Sequence, residues 1–327
     1  MAAAPLPSET GLRAQQRGVT LVELMVAMVI GLVLVLAASA AFLASKQLFN
    51  TDAEVQATQD SLRFARYIVQ GVVRQAGYAD YAPDSLADGI GVIASNANLL
   101  ADSVDPRDLN IGGATNTTVS RTDDSFGAND TDTRNQNDSL MVRFFGRSTA
   151  NADTPDNTMI DCLGHPQKGP AAIPSAADRA WSFFYVALAS DGEPELYCKY
   201  ATEAGKFTAE PLARGVEKFK VVYGYDGNGD SVPEAWLDAK GIAAKAQAAG
   251  GPINAEWRKA VAVRIGIVVR SARPAGDLKQ VSGHDYRLYP LGEEFRNSVY
   301  FDPPDDGRFR STATFTLMLR NVARDPT

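Results

Sequence analysis

The sequence predicts an α+β protein: one long N-terminal α-helix, membrane-apolar in its first half and amphipathic in its second, packed on an antiparallel β-sheet head. Three observations predict it. Residues 24–45 (LMVAMVIGLVLVLAASAAFLAS) carry no charge. After residue 50, apolar side chains return every three or four positions as far as Ala76. From residue 139 onward, β-branched and aromatic runs alternate with turn residues.

The uncharged run comes first. As a helix its 22 residues reach about 33 Å at 1.5 Å per residue, enough for a bilayer core of about 30 Å. Arg13 and Arg17 precede it, whereas Lys46 is soon followed by Asp52 and Glu54. The positive-inside rule therefore puts the start of the chain in the cytoplasm and the rest outside. A secretory signal peptide is one alternative, with Ala37-Ala38-Ser39-Ala40 as a cut, but the run is long for it and the helical pattern continues past residue 45. A plain signal anchor is another. Neither accounts for Glu23, a carboxylate inside the apolar stretch. At a membrane centre it costs about 2.5–3.5 kcal/mol, less near the interface, so it needs a partner or a role.

The second half of the helix follows. Val55, Thr58, Leu62, Ala65, Val69, Val72 and Ala76 share one face, with Arg63, Arg66, Gln70 and Arg74 elsewhere and Gly77 as the stop. Two separate helices are the alternative. Residues 77–138 form a connecting region. From 95 onward it is rich in Asn, Asp, Thr, Ser and Gly, and reads as a surface loop with at most short strands. Its N-x-S/T strings at Asn116, Asn129 and Asn137 carry little weight. The head, 139–327, offers strands at 139–145, 181–187, 195–200, 216–225, 261–270 and 312–320, and one short helix at 238–250.

Composition narrows the chemistry. Apolar residues make up 45% and charged residues 22%, which excludes a disordered chain and a polytopic membrane protein. A net charge of -7 leaves no general basic surface, so no direct nucleic-acid binding is expected. The two histidines, His165 in CLGHPQKG and His284 in VSGHDYR, read as solvated loop residues. No hydrolase elbow, P-loop or dinucleotide fingerprint occurs, and pairs such as Asp123-Asp124 and Asp305-Asp306 are ordinary in solvated loops. An enzyme is not expected. A membrane-anchored binding module is an alternative of a different class.

Arg17-Gly18 followed by Val19-Thr20-Leu21-Val22-Glu23-Leu24-Met25 resembles the type IV prepilin cleavage and methylation motif. The resemblance implies a leader at 1–18, cleavage after Gly18 by a prepilin peptidase, N-methylation of Val19, and Glu23 as the assembly carboxylate. Val19 departs from the phenylalanine common in that family, and the leader is longer than usual. Further strings, DSLMVRFFG (138–146), Cys162-x-Gly164 with Leu196-Tyr197-Cys198, VVYGYDGNGD (221–230) and FTLMLRN (315–321), resemble the PilW-type minor pilins. That implies a type IV pilin-like fold with its helix over 19–76 and membrane segment about 19–45. It also implies a role in initiating pilus assembly, with twitching motility and adhesion downstream. The implied partners are other minor pilins, the major pilin, an inner membrane platform protein and a PilY-type adhesin. The implied location is the inner membrane with a periplasmic head, then the pilus fibre. The nearest alternative is a GspJ-type minor pseudopilin of type II secretion.

Two further expectations concern the head. Cys162 and Cys198 lie on the exported side, where an oxidising compartment favours a disulfide; two separate buried thiols are the alternative. In DGNGDSVPE (226–234), Asp226, Asn228 and Asp230 alternate as oxygen donors in a D-x-[DN]-x-[DN] loop, with Glu234 as a further ligand for calcium. The EF-hand pattern fails at Ser231 and Leu237. The competing reading is a hairpin turn built on Asp-Gly and Asn-Gly. No cofactor is required in either case.

Overall fold

The computed structural model describes residues 18–78, 105, 108–130, 136–149, 154–170, 178–202, 206–274 and 287–321. Arg13, Arg17, His284 and most of the leader lie outside them. The chain divides into two units, Met1–Thr51 and Asp52–Thr327. In the first, the described residues are helical from Leu21 onward, and their apolar side chains are exposed throughout. That is the surface expected of a segment whose solvent is lipid.

Helix α1, Leu21–Val73, is continuous across the predicted apolar and amphipathic halves. In the second unit its buried residues are Thr58, Leu62, Ala65, Val69, Val72 and Val73, the face the periodicity marks. It ends where Gly77 turns left-handed, at φ +68°. A Cβ there would meet the Asn321 carbonyl oxygen at 2.5 Å, so only glycine fits.

The head strands are β1 (Ile111–Ala114), β2 (Ser139–Phe145), β3 (Arg179–Leu188), β4 (Pro194–Ala201), β5 (Phe207–Arg214), β6 (Val216–Tyr225), β7 (Ala235–Leu237), β8 (Ala260–Pro274) and β9 (Arg308–Met318). Two helices, α2 (Ala239–Ala249) and α3 (Ile253–Trp257), separate β7 from β8. The Asp238 side chain caps α2 by accepting from the Gly241 amide.

The strands form two antiparallel sheets, ordered β1-β2-β3-β4-β5 and β7-β6-β8-β9. All six predicted strand segments are present. The additional strands are β1, β5 and β7, and each lacks the usual signal for a physical reason. β1 is IGGA, and a Cβ on Gly113 would run into the Ser139 carbonyl and the Tyr223 hydroxyl. β5 carries Pro211, tolerated because β5 is an edge strand. β7 has three residues. The inner faces of both sheets and the buried face of α1 share one core, with Leu62, Ala65 and Val69 in the same cluster as Phe144, Phe219 and Ile265.

Candidate functional site

The residues at the start of α1 form a defined local structure. Gly18, Val19 and Thr20 precede the helix and are exposed. A Cβ on Gly18 would have nothing within 4 Å, so no packing of the described residues demands glycine there. Thr20 and Glu23 then satisfy each other's backbone. The Glu23 amide donates to Thr20 Oγ1 at 3.3 Å, and the Thr20 amide and hydroxyl both donate to Glu23 Oε2 at 3.0 Å. This is a capping box: two N–H groups left orphaned at a helix start are paired reciprocally. Sequence patterning does not single out Thr20 as a site residue, although Thr-x-x-Glu before an apolar run is the signature of such a box. The carboxylate is thereby held beside the chain at residues 19 and 20.

In the head, Cys162 and Cys198 form a disulfide. Cys198 is central in β4, opposite Phe184 of β3, and both sulfurs are buried. The Cys162 amide donates to Ser182 Oγ at 3.2 Å. The same loop is clasped at Ile160, whose N–H and C=O both bond the side-chain amide of Gln75, just past α1. His165, predicted to be solvated, is half exposed but engaged. Its Nδ1 lies 3.0 Å from Oδ2 of buried Asp161, and its ring packs on Tyr200 at 4.9 Å. The pair shapes the 161–165 turn.

The structure brings together Asp226, Asp230 and Glu234, whose carboxylates offer oxygens within 4.8 Å of one another. Asp226 accepts from the amides of Gly229 and Ser231, at 2.6 and 2.7 Å. Asp230 accepts from Val232, and Glu234 from Gly227. Asn228 bonds Asp230 through its side-chain amide and its carbonyl oxygen. Burial raises the Asp226 pKa, but amide donors led by Ser231 and Gly229 outweigh it and hold the carboxyl below its usual value. These are turn hydrogen bonds, and they shape the loop from within.

Several buried charges escape a reading of the sequence because nothing along the chain marks them. Lys199 of β4 is fully buried. Its ammonium donates to the carbonyls of Ser120, Asp123 and Ser125 and stands 4.3 Å from the Phe183 ring centroid. Burial pulls its pKa down to about 8, with Asp123 and Asp124 opposing. The Asn/Asp-rich loop is thus pinned to the sheet by a lysine. Near the end of β8, Arg270 bridges Glu193 and Glu217, each at 3.0 Å. Arg310 bridges Glu217 at 2.6 Å and Asp306 at 2.8 Å. Between the sheets, buried Asp138 pairs with Lys220 at 2.6 Å.

Residues 183–321 match the family model for type IV pilus-assembly protein W, and residues 13–39 match the prokaryotic N-terminal methylation motif. No curated protein sequence matches the chain. Among solved structures, a type IV-like pilin from Thermus thermophilus is similar, at 14% identity and a TM-score of 0.30, over 73% of this chain and 97% of that one.

Proposed function

Because the chain matches a type IV pilus minor pilin of the PilW family, we propose that it helps initiate pilus assembly and is incorporated near the fibre tip. The observation that carries this is Gly18-Val19-Thr20-Leu21-Val22-Glu23 at the mouth of an exposed apolar helix. In the membrane, α1 is solvated by lipid. In a fibre the same side chains pack on neighbouring helices. Cleavage after Gly18 converts the Val19 nitrogen into an amine one residue before the capped Thr20. N-methylation leaves that amine charged. Glu23, held at this end by the Thr20 amide and hydroxyl, is placed for a cation on its own or an adjoining subunit. At low dielectric such a pair is favourable only when both charges are present and well placed, which sets register along the fibre.

The partners follow from this role: the prepilin peptidase, the other minor pilins and the major pilin, an inner membrane platform protein and a PilY-type adhesin. The head would lie in the periplasm before assembly and at the cell surface after it, supporting twitching motility and adhesion as a structural subunit rather than an enzyme. Calcium enters as an optional ligand of Asp226, Asn228, Asp230 and Glu234, not as a requirement of the fold. Calorimetry on wild type and Asp226→Ala/Asp230→Ala tests it, and no heat at millimolar calcium removes the ion and leaves the turn.

Mass spectrometry of the N-terminal peptide from sheared fibres tests the main reading. The expected peptide begins at methylated Val19. An intact leader in assembled fibres defeats the proposal. Incorporation into a type II secretion pseudopilus instead of pili identifies the GspJ-type alternative.

A further inference from the structure

Three residues from separate parts of the head converge between the two sheets. Asn116 follows β1, Asp138 immediately precedes β2, and Lys220 lies on β6. The Lys220 ammonium donates to Asp138 Oδ1 at 2.6 Å and to Asn116 Oδ1 at 3.1 Å. Asp138 also accepts from the Asn116 amide at 3.0 Å and the Val221 amide at 2.9 Å. Its exposure is 3%, and that of Lys220 is 9%. Asn116 is held with φ +52°, the left-handed region that asparagine adopts more readily than other residues with a Cβ. A salt bridge alone would need only the lysine and the aspartate. The side-chain carboxamide against the same ammonium supplies a third, chemically reactive partner.

We propose that this cluster forms an intramolecular isopeptide bond between the Lys220 Nζ and the Asn116 Cγ, with Asp138 as the proton-transfer residue. The Lys220 proton passes to the Asp138 carboxylate, leaving a neutral amine. The nitrogen lone pair attacks Cγ, and the carbonyl electrons move to Oδ1. As the tetrahedral carbon collapses, Cγ–Nδ2 breaks, the proton held by Asp138 goes to the departing nitrogen, and Nζ, which carries two hydrogens after the attack, returns one of them to the Asp138 carboxylate. The amide nitrogen keeps one hydrogen, one neutral ammonia leaves, and Asp138 ends protonated. No oxidant, reductant or cofactor enters the balance.

Geometry supports the proton transfer from Lys220 to Asp138 and the approach of Nζ to the carboxamide. With a C=O bond of about 1.23 Å, a 3.1 Å approach to Oδ1 puts Cγ within about 4.3 Å of the nucleophile. A modest side-chain rotation brings that to the 3–3.5 Å of a near-attack pose. Burial disfavours the ionised carboxylate and raises the Asp138 pKa, the direction that favours a neutral acid beside a neutral amine. Asp138 bonds the attacking Lys220 ammonium directly and the backbone amide of Asn116, so it is catalytic in the first proton transfer and reaches the departing nitrogen once the Asn116 side chain rotates. The bond would join the end of β1 in one sheet to β6 in the other. Where Cys162–Cys198 ties a loop to the first sheet, this bond would tie the two sheets together. A head carrying tension in a fibre gains from such a link, since a covalent bond does not yield when sheets are pulled apart.

The test is the mass of the full-length protein purified from membranes, with a tryptic map. The expected deficit relative to the sequence, after allowing for processing and the disulfide, is about 17 Da, one ammonia. A branched peptide containing both Asn116 and Lys220 should appear, with no tryptic cleavage at Lys220. Lys220→Arg keeps the charge and should restore the full mass; Asp138→Ala should do the same if it folds. Separate linear peptides carrying unmodified Asn116 and Lys220 from wild type overturn the proposal, whatever the variants do. So does a 17 Da deficit that maps to an unbranched Asn116 succinimide. A deficit of about 18 Da, one water, with Lys220 joined to Asp138, overturns the assignment of Asn116 as the acyl donor.

Discussion

Reduction of Cys162–Cys198 should destabilise the head by a calculable amount. The bond spans a sequence separation of 36, with a Cα–Cα distance of 5.9 Å, inside the ordinary range for disulfides. The chain-entropy model gives about 4 kcal/mol for a loop of that length. Both cysteines are buried, at 1% and 0% exposure, so reduction requires local opening and should be slow in native buffer. Once reduced, the loop is still held by Gln75 at Ile160 and by the Ser182 hydroxyl at Cys162. The structure should therefore stay folded but melt earlier, by roughly 8 °C at the low end of 2–4 °C per kcal/mol for a large domain. The assay is denaturant unfolding of the unit Asp52–Thr327, oxidised and fully reduced, with Cys162→Ala/Cys198→Ala beside them. Thiol titration confirms the redox state. Coincident unfolding midpoints for the oxidised and fully reduced forms would refute the reasoning, because the entropic term does not depend on the surviving hydrogen bonds.

Other perturbations follow from the same coordinates. Gly77→Ala meets a φ of +68° and the Asn321 carbonyl, and should cost about 1–2 kcal/mol in backbone strain before any displacement. Gly71→Ala, on exposed helix with nothing within 4 Å of its Cβ, should stabilise by about 0.5–1 kcal/mol; paired unfolding curves separate the two. Glu217→Ala removes a carboxylate shared by Arg270 and Arg310. Each arginine keeps a second partner, so the loss should stay at or below about 3 kcal/mol, and a larger one would mean that the network does not redistribute. The Lys199 pKa falls from 10.5 to about 8 on folding, so between those values the unfolded chain binds more protons. Its contribution should therefore rise with pH across that window, by at most about 1.4 kcal/mol per pH unit, and be lost below pH 8. Unfolding of wild type against Lys199→Met checks it; a constant difference from pH 8 to 10 contradicts it. Thr20→Ala should cost about 1 kcal/mol at the helix start, seen as faster amide exchange confined to residues 21–24 in detergent micelles.

The sequence by itself determined what repeats along it or what is local to it. The apolar run at 24–45, the buried face through Leu62, Ala65 and Val69, and the six strongly patterned strand segments are readable because period and side-chain type report burial directly. The Gly18–Glu23 motif is equally local. The disulfide is legible because the sequence holds just two cysteines. Tertiary structure alone decided the rest. Periodicity carries no information about which strand lies beside which, so the division into sheets β1-β2-β3-β4-β5 and β7-β6-β8-β9 appears only on folding. β1 and β5 hide because close approach selects glycine in one and an edge position admits proline in the other. Lys199 among loop carbonyls 74–79 residues away, and Lys220 beside an asparagine 104 residues away and an aspartate 82 residues away, could not be read from spacing. A lone lysine in a strand looks solvent-facing, and only the packed chain supplies the oxygens that let it be buried.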